Sequence, residues 1–135
     1  MGIVTAPGGR RVAYEVWGDP AGAPVFLLHG TPGSRLGIRA PDDALARSGA
    51  RLITYDRPGY GLSDPYPERT VADCTTDVAA IADALGYREF AVVGFSGGDR
   101  TRWPAGRCCP TGSPRCRPWS ASRPTPPTGW TGSPA

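Results

Sequence analysis

After residue 98 the sequence has no Ile, Leu, Val, Met or Phe, although this stretch holds eight of the sixteen prolines. Without aliphatic side chains it cannot bury enough surface to offset its ordering entropy, which excludes a packed second domain there. Lysine is missing altogether, so all fifteen basic residues are Arg, and the single histidine is His29. No window is long or apolar enough to span a membrane. Met1 to Ala6 lacks the basic-then-apolar layout of a secretory leader, and Ala6 stands where myristoylation of Gly2 needs Ser or Thr. These absences give the expectation of a soluble, cytoplasmic chain, and 135 residues allow one domain at most.

Charge divides where hydropathy does. Residues 1–98 carry nine Arg against eleven acids, whereas residues 99–135 carry six Arg against Asp99 alone. The expectation is a foldable head over 1–98 and an irregular, Pro/Arg-rich, disordered tail over 99–135.

Within the head, Arg11 to Trp17 alternates as a half-exposed strand does, and a short strand near Gly2 to Thr5 is expected to pair with it antiparallel. Pro24 to Leu28 is a continuous apolar run, the pattern of a strand buried on both faces of a parallel sheet. Ala44 to Ser48 lies in a helix closed by Gly49, and Arg51 to Tyr55 is another buried strand. Thr70 opens the strongest helix, with Asp73 as an acidic capping-box partner and Val71, Cys74, Val78, Ile81 and Leu85 as one apolar stripe ending at Gly86. Cys74 on that stripe reads as core. A buried strand over Glu89 to Val93 follows. Strands alternating with helices predict a mostly parallel α/β sheet whose functional loops gather at the C-terminal strand ends.

Three Gly-rich loops fall at those ends: His29-Gly30-Thr31-Pro32, Asp56 to Asp64, and Gly94-Phe95-Ser96-Gly97-Gly98. The last has the spacing of a nucleophile elbow. A serine at the tip of a tight strand-to-helix turn needs Gly94 and Gly98 beside it, because a Cβ there would collide with opposing backbone. So presented, Ser96 exposes its hydroxyl while the Gly97 N–H points to where a carbonyl oxygen becomes negative.

These three motifs, in this order and spacing, resemble the α/β-hydrolase superfamily over residues 10 to 98, more narrowly its esterase, lipase-like and peptidase-like members with an HG-x-P loop. The resemblance implies the N-terminal part of that fold, cut off after the nucleophile strand. It makes Ser96 the nucleophile and the backbone N–H groups of Gly97 and Thr31 the oxyanion hole, with an ester, amide or thioester opened through an acyl-enzyme. A serine at the elbow argues against the dehalogenase and epoxide-hydrolase branches, which use aspartate there. His29, Gly30 and Pro32 then support the oxyanion loop, and His29 is not the catalytic base. Asp56, Asp64, Arg35 and Arg57 read as loop braces; an anionic substrate is the open alternative for the two Arg. The implied partner is a small-molecule acyl substrate, with no metal or organic cofactor, and the oligomeric state stays open.

The sequence departs from the family after the elbow. The family's acid and histidine follow the serine, but here that region holds only Asp99 and no histidine. Pro104, Pro110 and Pro114 also forbid the helix that should follow. Cys108, Cys109 and Cys116 make no zinc set, since adjacent cysteines do not easily share a tetrahedral site and neither a His nor a fourth Cys accompanies them. Arg interleaved with Trp103, Trp119 and Trp130 is a combination used by nucleic-acid and membrane-surface binders, yet neither partner is expected, because the tail has a simpler origin. Its Cys and Trp codons begin with T, as do most Ser codons, and reading one nucleotide earlier moves that T to the middle position, where every codon is apolar. Residues 99–123 then re-read as a helix, a Leu-Pro-Asp-Arg-Val turn and a buried strand. The expectation is a frameshift near codon 99 and an inactive fragment of a serine hydrolase; the alternative is a half-hydrolase that binds small molecules without catalysis or is completed by a partner chain.

Overall fold

Alternation of strand and helix signals is realised as a single five-stranded sheet in the computed structural model, which describes residues 1–37 and 41–98. The strands are β1 (Gly2–Thr5), β2 (Arg11–Gly18), β3 (Ala23–Leu28), β4 (Ala50–Tyr55) and β5 (Ala91–Gly94), in the spatial order β1-β2-β4-β3-β5. β2 pairs antiparallel with both β1 and β4, and β3 pairs parallel with both β4 and β5. Two helices, α1 (Asp42–Arg47) and α2 (Cys74–Leu85), lie in the β3–β4 and β4–β5 connections. The order places the ends of β3, β4 and β5 side by side, so their three loops share one edge.

Every second side chain of the central strands enters the core. Val12, Phe26, Leu28, Ile53 and Tyr55 meet Val78, Ile81 and Ala82 of α2, with Phe90 and Val92 packed against them. Each large side chain so buried contributes roughly 1.5–3 kcal/mol before entropy is counted. On the opposite face Trp17 Nε1 donates to Thr54 Oγ1 at 3.1 Å.

Burial differs from the sequence expectation in three places. Phe26 and Leu28 are fully buried, whereas Val25 and Leu27 are half-buried, so β3 is covered completely on one face only. The short α1 packs on β2 and β4, leaving the second face of β3 thinly covered. β5 lies at the sheet edge among the described residues, and Val93 is 44% exposed rather than buried. The helix expected from Thr70 begins with a 3-10 turn, Val71–Asp73, before α2. Three residues per turn shift the phase of that segment, and Val71 leaves the apolar stripe for solvent. Thr70 N and Oγ1 both donate to Asp73 Oδ2, at 2.5 and 2.8 Å, and the Thr70 amide above all holds the Asp73 carboxyl below its ordinary pKa. Gly86 closes α2 in the left-handed conformation with φ 74°.

The expected tail over 99–135, its helix-breaking prolines and its cysteines lie outside the described residues. No helix among the described residues is long and apolar enough to cross a membrane.

Candidate active site

β5 ends at Gly94, and the chain turns at Ser96 with φ 52°, the one non-glycine residue at positive φ among those described. A side chain in that region is strained, and such strain persists only where the surroundings over-determine it. The surroundings here are tight. Phe95 N donates to Leu28 O at 3.1 Å and Gly98 N to Phe95 O at 2.8 Å. A Cβ on Gly98 would stand 2.0 Å from Leu28 O, so only glycine lets the turn sit against β3. On the other side a Cβ on Gly30 would lie 3.3 Å from the Ser96 Cβ.

The loop after β3 reaches the same point. A Cβ placed on Gly97 would lie 3.4 Å from Thr31 N and 3.0 Å from Thr31 Oγ1, which makes Gly97 and Thr31 direct neighbours across the elbow. Beside Thr31 opens a hollow of about 220 Å³, lined by residues from His29 to Ser34 with Gly37, Phe95 and Ser96. Phe95, 62% exposed, stands at its mouth. Sequence reading gave Phe95 no role; its place next to the serine was the only signal.

His29 lines this hollow and is itself buried. Its Nδ1 is 2.7 Å from Gly30 O, an acceptor, so Nδ1 carries the proton; its Nε2 accepts from the Arg57 amide at 3.3 Å. One proton satisfies both contacts, which fits a neutral ring, and burial lowers the pKa below 6.5. With both nitrogens engaged in the loop, His29 has none to offer Ser96. Tyr60 packs edge-on against the ring at 5.3 Å.

The loop after β4 braces the one after β3. Arg57 Nη2 donates to Gly30 O at 2.8 Å and to Thr31 Oγ1 at 2.5 Å. Asp56, fully buried, accepts from the Arg35 amide at 2.7 Å, from Arg35 Nη1 at 2.5 Å and from the Leu62 amide at 3.0 Å. Ser63 Oγ donates to Asp56 O at 2.7 Å and accepts from the Ala13 amide at 2.9 Å, tying the loop to β2. Asp64 accepts from the Arg11 amide at 2.8 Å, the main reason its pKa is lowered. Arg35 thus pairs with Asp56 and, at 3.4 Å, with Glu15 of β2, while Arg57 gives its hydrogen bonds to the loop after β3. The part played by Ser63 was not legible, because it depends on which strand lies beside β4.

Of the residues singled out in sequence, the structure brings His29, Gly30, Thr31, Pro32 and Ser96 around one hollow, with Gly97 against Thr31, Gly94 ending β5 and Gly98 packed on Leu28 O. No cluster of three or more His, Cys, Asp or Glu able to hold a metal ion occurs among the described residues.

The arrangement has relatives. A non-heme chloroperoxidase of Streptomyces lividans is 35% identical over 108 residues, covering 78% of this chain and 39% of its own length. A proline iminopeptidase of Xylella fastidiosa is 33% identical over 104 residues, covering 72% of this chain and 32% of its own. Among solved structures, an α/β hydrolase from Sphaerobacter thermophilus superposes with a TM-score of 0.65 at 33% identity, over 78% of this chain and 39% of that one. The chain therefore spans well under half the length of these relatives. The family model described as the alpha/beta hydrolase fold matches residues 23–98, more than half of the sequence, and the chain belongs to that family.

Proposed function

We propose that Ser96 is the nucleophile of a serine hydrolase acting on an ester, amide or thioester. The observation that carries this reading is the positive φ of Ser96 directly against the Gly97–Thr31 pair. In the reaction the Ser96 Oγ attacks the substrate carbonyl carbon and its proton passes to a base. The carbonyl oxygen becomes an oxyanion, held by the Gly97 and Thr31 amides. Collapse expels the leaving group with a proton and leaves an acyl-Ser96 ester, which water hydrolyses. Each preorganised amide donor is worth on the order of 3 kcal/mol in such a site.

A serine hydroxyl attacks poorly without a base. No histidine follows Ser96 in these 135 residues, and His29 is committed to its loop. The base and its supporting acid therefore belong to sequence that this chain does not carry. The family match stops at residue 98, where aliphatic residues also stop, which supports a change of reading frame near codon 99. In this reading the chain of 135 residues has the nucleophile and the oxyanion hole but no turnover. The test is release of nitrophenolate from p-nitrophenyl acetate by the purified chain and by Ser96→Ala. Equal, near-background rates are expected; a rate that depends on the Ser96 hydroxyl would show that a base is supplied after all.

A further inference from the structure

The hydroxyl of Thr31 has a use that a backbone oxyanion donor does not need. Arg57 is a donor only, so its 2.5 Å bond makes Thr31 Oγ1 the acceptor and leaves the Thr31 hydroxyl proton uncommitted. Among the described residues no acceptor takes that proton, although Thr31 is exposed, lines the hollow and has its Oγ1 beside Gly97. Behind it Arg57 is 5% exposed, forms no ion pair with a carboxylate among the described residues, and its Nε has no partner there. A donor bond from a buried cation polarises the hydroxyl and makes it a stronger donor in turn.

We propose that the Thr31 hydroxyl is a third hydrogen-bond donor to the substrate's oxyanion, aimed and polarised by Arg57. This rests on the serine-hydrolase reading of the same hollow. Thr31 would touch the reacting oxygen. Arg57 is a positioning residue: its Nη2 holds Gly30 O as well, which fixes the peptide that carries the Thr31 amide. The hollow then favours a tetrahedral or planar anion over a neutral ligand of the same shape.

The test needs no turnover. The full chain, labelled with ¹⁵N, is titrated with phenylphosphonate and with neutral benzyl alcohol while the Thr31 and Gly97 amide resonances are followed. Thr31→Val keeps the shape and the backbone donor but lacks the hydroxyl; Thr31→Ser restores it. Urea midpoints equal to that of the unmodified chain establish that both variants fold. The expected result is phosphonate binding weakened roughly tenfold in Thr31→Val, recovered in Thr31→Ser, with the Gly97 amide still responding and benzyl alcohol unaffected. Unchanged phosphonate affinity in Thr31→Val would overturn the role of the hydroxyl and leave the hydrolase reading intact. If neither amide responds in the unmodified chain, both fall together.

Discussion

At the scale of single residues, the site is a set of close approaches that tolerate little change. The 2.0 Å gap between a Gly98 Cβ and Leu28 O is far inside any real contact, so Gly98→Ala forces the elbow off β3. That substitution is expected to cost on the order of 1–3 kcal/mol, read as a lowered urea midpoint with little change in slope. His29 gives a pH signature. Burial depresses its folded pKa below the ordinary 6.5, so its contribution is complete above 6.5 and is lost as pH falls toward the folded value. The unmodified chain is therefore expected to lose stability from pH 7 to pH 5 more steeply than His29→Asn, in parallel denaturation series; equal slopes would remove His29 as the cause. Ser96 and the glycines beside it were legible in sequence because a strained turn leaves few residue types to choose from. The hydrogen bond from Arg57 to Thr31 was not, since two loops 26 positions apart meet only once β3 and β4 are paired.

At the scale of elements, strand and helix identities follow from periodicity, and the misreadings come from what packs on them. The 3-10 turn at Val71–Asp73 alters the phase of a stripe that a pure 3.6-residue period would continue. Asp77 shows the same limit. It sits on the buried side of α2, where its Oδ1 accepts from Arg10 Nη2 at 2.8 Å, and burial raises its pKa. Nothing in the stripe pattern announces a carboxylate inside, because its partner comes from the β1–β2 turn. Removing one member of such a pair strands the other, so Asp77→Ala is expected to destabilise by about 3 kcal/mol. In a thermal melt, a double variant Arg10→Met with Asp77→Ala should recover part of that loss.

At the scale of the whole molecule, the fold brings three loops from β3, β4 and β5 to one sheet edge, which in the proposed reading is half of a catalytic apparatus. The sheet order and the hollow are properties of residues 1–98, and the family match lies within that span. In that reading, a proton acceptor for Ser96 is what these 135 residues do not supply. The most direct measurement is the intact mass, after exposure to a fluorophosphonate probe, of this chain and of a chain translated with the reading frame restored at codon 99. The expected result is one adduct, on Ser96, in the frame-restored chain, abolished by Ser96→Ala, and none on the 135-residue chain. A frame-restored chain that stays unlabelled, or carries its label on another residue, would contradict the account.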